Sequence, residues 1–155
     1  MQKRPKKRVI TLTTTFFKSH PKAGQPTNFI ENFQKTKQHT IRKNIEYWGN
    51  IIHEVNEGVS ELHVRYWSGK PYRSKQVQHY TFEAGSQLLG LQRVYFVPDS
   101  FDAVVDNCTV KLWELAENDG LSFLDFRYWF AKKDGKMPTK EMALINFTNF
   151  RYLPF

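Results

Sequence analysis

Apolar positions along the chain change period several times, and each change predicts an element. Ile45, Trp48, Ile51, Ile52 and Val55 recur at helical spacing, and Gly58 follows as a stop, so the pattern predicts a helix over 43–57. Leu62, Val64 and Tyr66 then alternate with Glu61, His63 and Arg65, the mark of a half-buried strand. A Ser68-Gly69-Lys70-Pro71 turn leads to a second strand over 75–82, giving a hairpin with cations at its tip. The β-branched and aromatic run at 9–17 reads as a strand, as do 91–97, closed by Pro98, a short piece at 103–105, and Leu144, Ile145 and Phe147 at the end. Residues 20–26 and 135–138 are loops, and 28–33 predicts a short helix. Val110, Trp113 and Ala116 predict one face of a helix ending near Asn118. Ser122 and Asp125 form a capping pattern flanked by Leu121 and Phe126, and the helix they start presents Phe126, Trp129 and Phe130 to the core. Short strands broken by helices predict an α+β fold: a small mixed β-barrel, partly closed, with flanking helices. The alternation is too irregular for a doubly wound parallel sheet.

Length and composition narrow the class. A chain of 155 residues fits one domain and buries about two-thirds of its unfolded surface. A hydrophobic fraction of 40% and an aromatic fraction of 15% favour a globular fold over disorder. The single cysteine, Cys108, forms no internal disulfide, which fits a reducing, cytoplasmic setting. No apolar run approaches the roughly 20 residues of a membrane span. The basic start is followed by Thr11, Thr13, Thr14 and Thr15, which break up any signal-peptide core, so 1–8 reads as a flexible basic arm before a single domain over 9–155.

Charge changes the picture more than composition does. The net charge is +8, and it is segregated. Lys3, Arg4, Lys6, Lys7 and Arg8 carry +5; Lys35, Lys37, Arg42 and Lys43 carry +4 in a window without acids; Arg65, Lys70, Arg73 and Lys75 carry another +4, leaving −5 for the rest. Separated positive runs against an acidic remainder suit a polyanion or a phosphorylated ligand, although any one run also serves as a solvated face.

The segment Lys37-Gln38-His39-Thr40-Ile41-Arg42 holds the candidate chemistry. A lysine three residues before a threonine can serve a nucleophile and its base, or a phosphate or base edge. The first use requires the lysine pKa to fall by about three units, roughly 4 kcal/mol, and hence an enclosed site. Its alternative is a solvated polar turn.

Lys-x-x-Thr-Ile-Arg after a short helix resembles the signature of the ASCH domains, a superfamily related to the PUA domain of RNA-modifying proteins. The run from Leu115 to Ser122 with Asp125-Phe126 and Trp129-Phe130 resembles its second characteristic segment, and Ile145-Asn146-Phe147-Thr148 resembles its last strand, so the resemblance covers about residues 28–150. It implies a PUA-like barrel and a basic cleft for RNA or a nucleoside. One branch is an amidohydrolase of N(4)-acetylcytidine that uses a lysine, a threonine and a glutamate. Lys37 and Thr40 match the first two, and Asp119, one methylene shorter, stands at the third. In that reading Lys37 takes the Thr40 proton, Arg42 or backbone N–H groups hold the oxyanion, and Asp119 orients Lys37 or passes a proton to the leaving amine. Asp119 also suits plain helix-end capping in an Asn-Asp-Gly turn. The hairpin at 68–80 has no counterpart in the compact enzyme branch.

That hairpin alternates cations with Tyr66, Trp67 and Tyr72, a pattern that stacks bases while tracking phosphates, or that packs under a loop. Trp67 is the stacking candidate if Tyr66 faces the core. The expected ligand contacts are therefore Lys37, Thr40, Arg42, Arg65, Trp67, Lys70, Arg73 and Lys75, with RNA or a nucleoside-like molecule as partner. The five histidines show no metal-ligand spacing, no phosphate loop is present, and no cofactor or metal is expected.

Overall fold

A computed structural model describes residues 3–154. Its elements run β1 (Lys6–Thr11), β2 (His39–Arg42), α1 (Ile45–Asn56), β3 (Ser60–Trp67), β4 (Gln76–Phe82), β5 (Gly90–Phe96), β6 (Asp102–Val105), β7 (Cys108–Lys111), α2 (Leu112–Asn118), α3 (Phe123–Phe130) and β8 (Met142–Asn146). The strands form two sheets, one ordered β1-β3-β4 and one ordered β2-β8-β5-β6-β7. The fold class is α+β, and among the described residues the strands do not close into a barrel. In the small sheet β1 runs parallel to β3 and β4 antiparallel to it; every pairing in the large sheet is antiparallel.

Helix α1 joins the two sheets. Asn44, in the left-handed region at φ 68°, caps it by accepting the Tyr47 N–H. Its apolar stripe of Trp48, Ile51, Ile52 and Val55 is buried, and the helix packs on β3 of one sheet and on β5 and β8 of the other. Each such side chain contributes about 1.5–3 kcal/mol of burial free energy. Strand β8 is buried along its whole length, which explains its apolar run over 142–145 before the buried Asn146.

Helices α2 and α3 meet at a tight corner. The Gly120 N–H bonds to the Glu117 carbonyl and the Leu121 N–H to the Ala116 carbonyl, a Schellman closure that places Asp119 at the helix C-cap. Ser122 then caps α3 by accepting the Asp125 N–H, as the sequence predicts. Phe126 is fully buried, and Trp129 and Phe130 pack against the core.

Three expectations are corrected. Lys6, Lys7 and Arg8, expected in a flexible arm, open strand β1 and pair with Ser60, Glu61 and Leu62; Met1 and Gln2 of that arm lie outside the described residues. Residues 28–33 form turns rather than a helix, because Asn28 sits at φ 60° and Gln34 at φ 62°. Val110 belongs to β7, and Trp113 faces solvent. Asp106 and Asn107, at φ 46° and 69°, make the two-residue turn that joins β6 to β7. No helix among the described residues is long and apolar enough to cross a membrane.

Candidate functional site

A cavity of about 430 Å³ opens between the threonine-rich segment after β1, strand β2, the tip of the β3–β4 hairpin and the α2–α3 corner. Lys37, Thr40, Arg42, Asp119 and Trp67, all expected at the site, line it. Residues separated by 82 positions thus converge on one concavity.

Lys37 is the most constrained of them. Only 1% exposed, it is among the largest fully buried side chains of the protein. Its Nζ donates to the Asp119 carbonyl at 3.0 Å and the His39 carbonyl at 3.1 Å, and lies 3.5 Å from Asp119 Oδ1. The Phe29 ring covers the ammonium at 3.9 Å from ring centroid to Nζ. Backbone pairing fixes this geometry: Lys37 bridges Asp119, and the Gln38 N–H bonds to the Asn118 carbonyl. Burial pushes the Lys37 pKa down; the Asp119 carboxylate opposes that shift, and Arg42 adds to it.

Asp119 also accepts from His39 Nδ1–H at 3.1 Å. His39 Nε2 in turn accepts from the Tyr152 hydroxyl at 2.8 Å, and the Tyr152 oxygen accepts from Asn118 Nδ2 at 3.0 Å. The Asp119 oxygen requires a proton on Nδ1, and burial disfavours a second one on Nε2, so His39 stands as the neutral Nδ1–H tautomer accepting from a neutral phenol. Burial lowers the His39 pKa and raises that of Tyr152. His39, Tyr152 and Asn118 form a buried bracket behind Asp119 that sequence reasoning missed. His39 lies in the basic segment 37–42, but its spacing carries no sign of a partner 113 residues away.

Arg42 stands differently. Its Nη2 donates to the Thr11 carbonyl at 2.7 Å, and burial holds its guanidinium below its ordinary pKa against the pull of Asp119. The side chain is half-buried. Thr40 is buried on β2, opposite Ile145.

The cavity is rich in aromatic residues. Trp67 lies 5.1 Å, centroid to centroid, from Tyr72 at the hairpin tip. On the other side Trp129 packs 4.9 Å from Phe17 and 5.6 Å from Phe29. Tyr72 is 88% exposed and holds a left-handed backbone at φ 64°, an unfavourable conformation for a bulky residue.

The remaining expected contacts lie outside this cavity. Lys70, Arg73 and Lys75 are exposed on the hairpin beside Gly69, Pro71 and Tyr72, which do line it. Arg65 joins a separate trough with Lys7, Glu61 and His63, where it donates to Gln78 Oε1 at 2.8 Å and to His63 Nδ1 at 2.9 Å. A register shift between Val64 and Arg65 interrupts the ladder between Arg65 and the core half of the hairpin.

Comparison of the chain with family models, curated proteins and solved structures finds no match. The chemistry is therefore read from the residues themselves. Among the described residues no group of three His, Cys, Asp or Glu side chains is placed to hold a metal ion.

Proposed function

We propose that the chain is an ASCH-type domain, with its two sheets as an open form of the PUA-like barrel, that binds RNA or a nucleotide-like ligand in the cavity around Lys37. The observation that carries this reading is the combination of Lys37, Thr40, Arg42 and Asp119 with Trp67, Tyr72 and Trp129 in one space of about 430 Å³. Planar heteroaromatic rings favour aromatic neighbours, and a few placed polar groups select among them. The exposed cations Lys70, Arg73 and Lys75 extend the surface from the rim along a strand. A cytoplasmic setting accords with the single cysteine.

Filter binding of single-stranded RNA over a salt series tests this. Three hairpin phosphate contacts contribute about −2 to the slope of log K against log salt. Replacing Lys70, Arg73 and Lys75 together by alanine should flatten the slope by that amount. Affinity that does not change between low and high salt would exclude the basic surface as the contact.

A second reading is an amidohydrolase acting on an acylated nucleoside such as N(4)-acetylcytidine. It is favoured by the 3.5 Å approach of Lys37 Nζ to Asp119 Oδ1, with Thr40 on the same cavity. Turnover that disappears in Lys37→Ala and in Thr40→Ala, with both variants folded, would establish it. Absence of turnover over a panel of acylated nucleosides leaves the binding domain.

A further inference from the structure

Three charged side chains, Lys37, Arg42 and Asp119, line the cavity, so it holds two positive charges and one negative. Asp119 spends one carboxylate oxygen on the groups behind it and attracts Arg42 only from beyond ion-pair distance. Its Oδ1 serves the Lys37 ammonium at 3.5 Å and the His39 ring N–H at 3.1 Å. Arg42 has no carboxylate within ion-pair distance among the described residues; its one hydrogen-bonded partner is the Thr11 carbonyl. A guanidinium carries five N–H donors in a rigid fork matched to oxyanions, and it does not deprotonate. A half-buried guanidinium with donors to spare is an unpaid electrostatic cost that an anionic ligand relieves.

The neighbours of Arg42 suit the same group. The end of β1 and the segment after it bring Thr11, Thr13, Thr14 and Thr15 to the cavity, and β2 adds Thr40. The Thr13 hydroxyl is spent on the Thr15 carbonyl at 2.7 Å. The half-buried Thr11 and Thr14 and the buried Thr40 line the same cavity as Arg42. Hydroxyl and guanidinium donors around an aromatic-lined space describe a ligand with a flat ring and an oxyanion.

We propose that Arg42, with the threonines beside it, is an oxyanion subsite, so that the cavity takes a nucleotide through its phosphate group in preference to the neutral nucleoside. The inference rests on the nucleobase reading of the cavity for the identity of the ring, but not for the anion.

Trp67 and Trp129 line the cavity and supply an intrinsic fluorescence signal for the test. Cytidine 5′-monophosphate and cytidine are titrated in parallel, as are phenyl phosphate and phenol. The phosphorylated member of each pair should bind at least about tenfold tighter, the yield of a charge-assisted hydrogen bond. Arg42→Gln should abolish the preference. Arg42→Lys keeps the charge without the fork and should retain a reduced preference, which guards against a Gln variant that fails to fold. A preference confined to the phenyl pair, with neither cytidine compound bound, upholds the subsite and sinks only the nucleobase reading. Equal affinity within both pairs in the wild type, or a preference that survives in a folded Arg42→Gln protein, overturns the proposal. Adding tricytidine separates the two sources of phosphate: binding tighter than the monophosphate and weakened by salt assigns the subsite to an RNA strand, and equal binding assigns it to a free nucleotide.

Discussion

Replacing Asp119 by asparagine keeps the shape of the side chain and removes its charge. In the wild type that charge faces a lysine only 1% exposed and a histidine with no exposed surface, so water cannot take over either contact. Breaking a buried pair on one side leaves the other charge uncompensated, at a cost of about 3–5 kcal/mol. For a chain of this size each kcal/mol lowers Tm by about 2–4 °C, which gives a fall of roughly 6–20 °C. The pH dependence identifies the cause. Burial already holds the Lys37 pKa below its ordinary 10.5, and Asp119 opposes that shift. Between the folded and unfolded pKa values the unfolded chain binds more protons, so stability rises with pH across that window. Without Asp119 the folded pKa drops further and the window widens downward. The cost of Asp119→Asn should therefore shrink as pH rises from 7 toward 10. Urea denaturation of both proteins across that range measures it. The Lys37→Met/Asp119→Asn double variant should lose less than the two single losses combined. A cost under about 1 kcal/mol at pH 7, or one unchanged by pH together with additive single effects, would refute the ion-pair account.

Three further outcomes follow from the same geometry. His39 is buried and neutral, with its pKa held below its ordinary 6.5; the unfolded chain alone takes the proton as pH falls through that value, so stability should drop by up to about 1.4 kcal/mol per pH unit below it, and urea midpoints of wild type and His39→Gln at pH 7.5 and 5.5 should show the variant losing less on acidification. Gly120 sits at φ 81°, and a Cβ there would lie 3.0 Å from Lys37 Cβ; Gly120→Ala should cost about 1–3 kcal/mol, and RNA affinity should fall with it, read by thermal melting and filter binding. Asn44 caps α1 from a left-handed backbone, so Asn44→Ala should cost about 1–2 kcal/mol and Asn44→Gly only a few tenths, by urea denaturation.

The elements with long, regular patterns were legible in the sequence. Helix α1 announced itself through four buried positions at helical spacing, and α3 through its Ser122 cap. Strand β2 did not, because three of its four residues are buried with no apolar alternation to mark them: His39 bonds Asp119, and Thr40 faces the cavity. The misreading at 108–111 has a clear physical source. Val110, Trp113 and Ala116 are three apart by coincidence, while the real signal was the Asp106-Asn107 pair, two residues suited to the left-handed turn of a tight hairpin. At the site, Lys37 and Thr40 were singled out by their spacing in a basic segment, and Asp119 only through the family resemblance. The bracket of His39, Tyr152 and Asn118 depends on contacts across 34 to 113 residues, which periodicity does not register.

The surroundings of Lys37 also weigh between the two functional readings. Nζ meets two carbonyls, a carboxylate oxygen and the face of Phe29. All four attract a cation, and none offers a proton to an amine lone pair. To act as base toward Thr40, Lys37 must first lose its proton and turn its lone pair away from the carbonyls at 3.0 and 3.1 Å. Burial drives the loss of the proton, but this set of acceptors favours the ammonium. The arrangement therefore suits a lysine whose charge pins β2 to the α2 C-cap, and under the proposed subsite Arg42 is the cation that meets the ligand. The two roles separate by experiment: replacing Lys37 should register first in stability, and replacing Arg42 first in affinity. If Lys37→Met folds as well as the wild type and loses only turnover, the lysine is catalytic and the amidohydrolase reading takes precedence.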